Sequence, residues 1–359
     1  MNTVSYCPDW AMPETELLVR FSILYFFVAY QIFAQQFPNP KVDSLLNLGI
    51  ENILNENYSV AKKTFKILDK DFSELPFGKI YLAAAHIAES VDYEKIPNEN
   101  YVDSILTIAE NQTELLLISD ENNLWYNYFE ATIYGYRAYF NSITSNLVAA
   151  FADGVLSLHS FQKCLEIDNN FNEALIANGI YKYWKSAQTK SLNWLPFVKD
   201  EREIAIKLLE NSIKQKSYNQ YLGISSLIWI YIDNNESQKA VDLSKKMLAQ
   251  YKNSRYFNWA LARAYQDISK EKSIEIYQQI LSSVEKLKNR NFYNDVVLKH
   301  KMAMLYFDLE NYNKSYQLCS QILDFDIKSE EIKNRLEERL NRVLDLKNEL
   351  EEILEEKNK

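Results

Sequence analysis

The chain has 359 residues, 47% of them hydrophobic and 25% charged, and a formal net charge of −9 at pH 7. That much apolar material excludes a disordered chain, and the acidic balance argues against a nucleic-acid backbone as partner. Gly (6) and Pro (7) are too scarce for the many turns of a β-sandwich or barrel.

Residues 21–34, FSILYFFVAYQIFA, form an uncharged apolar run. The run is shorter than the roughly 20 residues that a bilayer-spanning helix needs. Arg20 precedes it, Ala34 closes it as a small residue suited to signal peptidase, and Gln35, Gln36, Pro38 and Pro40 follow. Residues 1–34 therefore read as a secretory signal peptide. The chain is then expected to be exported, to the periplasm or the outer membrane, with no membrane span left after cleavage. A buried core helix is the other use of such a run. Asp9, Glu14 and Glu16 make the leading segment acidic where a signal is basic, which points to an overlong start with the initiator near 17–19.

The next signal is an internal repeat. Residues 45–76 read LLNLGIENILNENYSVAKKTFKILDKDFSELP, with Leu48-Gly49, Tyr58, Ala61 and Phe65 at a recurring spacing. Residues 224–247 repeat it with Leu227, Tyr231, Ala240 and Met247. Residues 257–280 do so with Leu261-Ala262, Tyr265, Tyr277 and Ile280. Residues 298–324 do so with Ala303, Tyr306, Tyr312 and Ser315. Gly179 marks another unit, and Gly135 with Phe161 a looser one. In this pattern the chain resembles the tetratricopeptide repeat family. The resemblance implies an all-α fold, a right-handed α-α superhelix of about seven helix pairs over residues 43–327. An elongated array follows, since repeats far apart in such an array do not touch. Gly49 falls where the two helices of a pair approach most closely.

Two loops depart from the pattern. One, around Ile96-Pro97-Asn98, lengthens the second pair. The other, residues 185–202, carries Trp194, Pro196 and Phe197. Long loops in repeat proteins emerge on one face and are often functional, so Trp194 and Phe197 are candidate partner contacts. The other use of both rings is packing on the solenoid.

Residues 329–359 change in character. Ile332, Leu336, Leu340, Val343, Leu350 and Leu354 form an apolar stripe in a charged helix. A terminal helix with a polar outer face caps a solenoid. Self-association through a coiled coil is the alternative use.

No catalytic or cofactor constellation stands out. His86, His159 and His300 fall in separate predicted helices, and there is no HExxH, phosphate-cradling glycine loop or GxSxG elbow. No cofactor, no metal and no enzymatic activity are expected. Cys164 and Cys319 fall on apolar helix faces and read as buried free thiols.

The resemblance implies that the first helix of each pair lines a concave inner face. Carrying that register across gives Tyr136, Tyr139, Phe140, Tyr183, Trp184, Trp229, Trp259, Arg263 and His300. Aromatic and Arg side chains dominate interface energetics. The function read from this is a non-catalytic exported scaffold that binds a protein or peptide in the groove. A carbohydrate- or nutrient-binding helical protein of the outer membrane is the alternative.

Overall fold

The computed structural model describes residues 36–95, 98–189, 199–288 and 290–357. The signal segment 1–34 and the loop residues Trp194 and Phe197 lie outside the described residues. Among the described residues are fifteen helices and no strand. Fourteen of them form seven successive pairs: α1 Pro40–Leu54 with α2 Tyr58–Asp71, α3 Phe77–Asp92 with α4 Glu99–Ser119, α5 Leu124–Ile143 with α6 Leu147–Ile167, α7 Asn172–Gln188 with α8 Arg202–Ser212, α9 Gln220–Asp233 with α10 Ser237–Gln250, α11 Arg255–Gln266 with α12 Lys270–Val284, and α13 Tyr293–Asp308 with α14 Tyr312–Leu323. The last helix, α15, spans Glu330–Lys357. The fold is an all-α superhelix of stacked helix pairs.

Local chemistry explains the helix starts. Asn39 accepts from the amides of Lys41 and Val42, with Pro40 opening α1. Asn98, Asn123, Asn146 and Asn311 cap α4, α5, α6 and α14 in the same way. A side-chain oxygen there satisfies an amide that has no partner within the helix.

The turn inside a pair is the same in five of the seven. Glu56, Glu94, Ser145, Asn235 and Glu310 take positive φ angles between 49° and 64°. The following amide then bonds back to a carbonyl in the last turn of the preceding helix: Asn57 to Asn52, Lys95 to Ser90, Asn146 to Asn141, Glu236 to Tyr231, and Asn311 to Tyr306. This hydrogen-bonded stop needs a left-handed residue and usually recruits glycine. No glycine of this chain has a positive φ. Left-handed backbone costs an L-residue roughly 1–2 kcal/mol. Glu310→Gly is therefore expected to raise stability by about 1 kcal/mol, less what glycine loses in unfolded-chain entropy. A urea midpoint at or below wild type would show that the Glu310 side chain stabilises the turn.

The repeat positions read from the sequence are mostly core. Ala61, Phe65, Leu227, Ala240, Ala262, Tyr277, Ala303 and Ser315 are buried. Leu48 is an exception and is exposed; no described helix precedes α1 to cover it. Along α15, Ile332, Leu336, Val343 and Leu350 bury with Val296, Ala303, Cys319 and Ile322 of the last pair. The stripe thus closes the end of the core. Cys164 and Cys319 are free and buried.

The superhelix is not open, and here the expectation of an elongated array with non-touching ends fails. Phe37 and Asp43, at the start of α1, both bond the Tyr218 hydroxyl just before α9: the Phe37 amide donates at 3.1 Å and Asp43 accepts at 2.7 Å. The α1–α2 turn meets the start of α11, where Glu56 accepts from the Arg255 amide and pairs with its guanidinium at 2.7 Å. The end of α3 meets three later elements. Asp92 pairs with Arg255, its carbonyl accepts from Asn294 at 3.0 Å, and Glu94 accepts from Asn291 at 2.7 Å and pairs with Arg335 of α15 at 2.5 Å. The first two pairs are therefore seamed to the last three and to α15. Among the described residues, no helix is long and apolar enough to cross a membrane.

Candidate functional site

The seam decides which inner-face residues can meet a partner. Near it, the first helices of early pairs face the chain itself. Phe37 sits in an aromatic cluster, with ring centroids 5.1 Å from Phe77 and 5.3 Å from Trp125. Glu173, at the start of α7, is fully buried and accepts from the amides of Tyr218 and Asn219 at 2.6 and 2.7 Å. Phe37 thus packs the start of the chain on the second and third pairs, and Glu173 ties the fourth pair to the fifth.

Two candidate residues are corrected by this packing. Phe140 is buried with Ala83, Ile87, Val102 and Leu106 between the second and third pairs. Tyr183 is fully buried, and its hydroxyl donates to Asp233 at the end of α9 at 2.7 Å. Both lie near the ends of first helices, where neighbouring pairs wind close. His300 is also buried, with Nδ1 3.2 Å from Arg339 of α15. Burial, then the Arg339 charge, push its pKa down to about 4.

Three more candidates are half-buried and packed. Tyr136 meets the Tyr81 ring at 6.2 Å. Trp184 stands edge-on to Tyr183 at 5.3 Å. Trp259 stands edge-on to Tyr277 at 5.6 Å and joins the central core to the C-terminal one. Arg263 is half-exposed and pairs with Asp267 one turn on, at 3.2 Å.

Tyr139 and Trp229 are exposed. With Trp229 (40% exposed) come residues that the register reading passed over: Leu222 one stripe back on α9, Tyr256 (51%) on α11, and Met304 (45%) on α13. The Tyr256 hydroxyl bonds Ser225 of α9, so the two helices present their faces together. The signal for these residues was in the repeat. Leu222 lies seven before Trp229 and Tyr256 seven before Arg263, two helical turns on the same face. Met304 lies four after His300, so it shares that side of α13 while His300 turns into the core. Exposed large apolar residues of first helices thus fall on α9, α11 and α13.

A second apolar face lies outside it. Leu147, Val148 and Phe151 are exposed on the first half of α6, at 70%, 84% and 76%. Their spacing was readable as a helical stripe, but a surface-facing stripe and a core-facing one look alike in sequence. Of the histidines, His86 packs against the Tyr101 ring at 4.7 Å, and its helix neighbour Glu89 is paired with Lys62 at 2.7 Å. Among the described residues, no group of three His, Cys, Asp or Glu is placed to hold a metal ion.

No protein-family model matches the chain, and no curated protein sequence does. Solved structures similar to it include PilW, a type IV pilus biogenesis factor, at 17% identity and a TM-score of 0.44, over 72% of this chain and 96% of that one. Another is the C-terminal part of a tetratricopeptide-repeat protein of Cytophaga hutchinsonii, at 15% identity and TM-score 0.37, over 80% and 98%. A third is a tetratricopeptide repeat protein of Parabacteroides merdae, at 12% and 0.36, over 86% and 99%.

Proposed function

We propose that this chain is a non-catalytic exported scaffold that holds a protein or peptide against the wall formed by α9, α11 and α13. The observation that carries the reading is the exposure of Leu222, Trp229, Tyr256 and Met304 on the first helices of three successive pairs. Large exposed apolar and aromatic side chains, with Tyr256 bonded across to Ser225 of α9, favour a partner that removes them from water. Trp229 and Tyr139 are the candidate contacts that stay accessible. Export is supported by the apolar run at 21–34 with Ala34 at its end.

Site-specific photo-crosslinking in cells tests the reading, with the crosslinker at position 229 and, separately, at position 151. A partner captured at 229 and not at 151 supports it. Trp229→Ala should then weaken that partner by at least about 2 kcal/mol, roughly 30-fold in Kd. The thermal midpoint should move little, because Trp229 is not a core residue. Capture at 151 alone would transfer recognition to α6. Capture of glycan and no protein would replace the scaffold with a carbohydrate binder.

A further inference from the structure

The first half of α6 presents an apolar face that no described residue covers. Leu147, Val148 and Phe151 are exposed, and Val155 and Leu156 follow at 51% and 43%. Positions 148, 151, 152, 155 and 159 share one side of the helix. Ser157, Ser160, Phe161 and Cys164 turn the other side into the core. The face is also uncharged. A quarter of the whole chain is charged, yet residues 138–162 hold one formal charge, Asp153, and no Lys or Arg. Asp153 is turned to α5, where it accepts from Asn141 at 2.8 Å. Gly154 is a second, independent mark. The other five glycines each have a heavy atom within 3.2 Å of where a Cβ would stand, so packing inside the chain accounts for them. Gly154 has nothing within 4 Å. Glycine inside a helix costs about 1 kcal/mol against alanine, and no contact among the described residues offsets that here. Gly154 lies three residues after Phe151 and seven after Leu147, at the edge of the apolar face. A missing side chain there lets another backbone come close.

We propose that this face is a homodimer interface, in which α6 of one copy packs antiparallel on α6 of a second copy, across a twofold axis near Phe151. Its size fits. At roughly 150 Å2 or more for a fully exposed side chain of this kind, the five exposed residues leave on the order of 500 Å2 apolar per copy. Homodimer interfaces are about 65% apolar, so that corresponds to roughly 800 Å2 per copy, the size of a standard stable interface. Its charge fits as well. Two chains of net charge −9 repel each other, and a twofold interface sets each patch against itself, so an uncharged patch is the one that tolerates a second copy. A lipid surface would instead favour Lys or Arg beside the apolar residues. Residues 138–162 offer neither, and the preceding Arg137 is paired with Glu110 at 2.8 Å. Self-association through α15, the use its sequence suggests, has little apolar surface left, because Ile332, Leu336, Val343 and Leu350 are spent on the core. This surface lies on the second helix of its pair, apart from the wall of α9, α11 and α13, and neither depends on the other.

The test is sedimentation equilibrium of the full chain from about 1 to 100 μM, a range that brackets a micromolar Kd. A dimer is expected, with a Kd of about 10 μM or tighter. Phe151→Glu and Val148→Glu should each weaken it at least about 30-fold, because each buries a carboxylate against its own copy. Both positions are exposed, so the fold should survive, with circular dichroism as the check. Leu344→Glu, on the outer side of α15, should leave the dimer intact. Cosedimentation with vesicles of phosphatidylethanolamine and phosphatidylglycerol runs alongside. Four results would overturn the proposal: a chain still monomeric at about 100 μM, a dimer that Phe151→Glu leaves intact, a dimer lost through Leu344→Glu, or a monomer whose vesicle binding is lost through Phe151→Glu. The last would assign the face to lipid.

Discussion

Arg255→Ala is expected to destabilise the protein by about 3–5 kcal/mol and to open the superhelix, because it strands two buried acids. Arg255 opens α11. Its guanidinium meets Glu56 at 2.7 Å, and its Nε meets Asp92 at 2.8 Å. The three side chains are only 9%, 13% and 12% exposed. The Tyr93 ring lies 5.8 Å from the guanidinium and meets Tyr58 edge-on at 5.7 Å. Burial, and then the Asp92 charge, raise the pKa of Glu56 to about 7, with Arg255 working against both. An acid with its folded pKa above the ordinary 4.5 binds a proton more tightly in the fold. Its stabilising contribution is complete at low pH and is lost as pH rises through about 7. Removing Arg255 removes the cation that opposes this, so Glu56 should hold its proton more tightly. The variant should therefore be weaker at pH 8 than at pH 5, relative to wild type at each pH. Urea unfolding at the two pH values reads the first effect, and the radius of gyration by small-angle scattering reads the opening. Equal destabilisation at both pH values with an unchanged radius would show that the triad is not what closes the seam.

Gly49→Leu is expected to cost about 3 kcal/mol through overpacking. A Cβ at position 49 would stand 2.2 Å from Cε1 of Phe65. Phe65 is fully buried and has little room to retreat, with the Tyr81 ring 5.6 Å away. The clash therefore pushes α1 off α2, and α1 carries Asp43 and precedes Glu56, both contacts of the seam. Gly154→Ala is the control. Nothing lies within 4 Å of a Cβ there, and alanine favours a helix interior over glycine by about 1 kcal/mol. That variant should be neutral or more stable. Phe65→Leu should recover part of the loss in the Gly49→Leu background, since the two residues share one contact. A denaturant midpoint for Gly49→Leu equal to wild type would mean that α1 and α2 are not held at the distance the glycine sets.

The helix pairs were legible in the chain because they rest on local rules. Apolar residues recur at helical spacing, Gly49 and Ala61 keep two helices close, and Ile332 to Leu350 mark a one-sided helix. The free cysteines followed from the same face assignment. The five left-handed turns were written in the sequence too, in Glu, Ser and Asn, but the expected marker there is glycine, and these residues equally fit an ordinary helix surface.

The inner wall was only half legible. The register put Trp229 on the accessible face together with Phe140 and Tyr183, because position within a repeat says which side of a helix a residue occupies. It does not say what lies across from that side. That depends on how far each pair rotates against the one before, a small angle summed over seven pairs. The sum brings Arg255 to Glu56 and Asp92, and Asn291 to Glu94, across roughly 160 to 200 residues of chain. Such contacts leave no periodic trace in any window of sequence. The sequence by itself determined the helices, their pairing and the capped C-terminal end. Tertiary structure alone decided that the superhelix closes on itself and that Phe140 and Tyr183 face its own pairs, because the winding that closes it is accumulated over the whole chain.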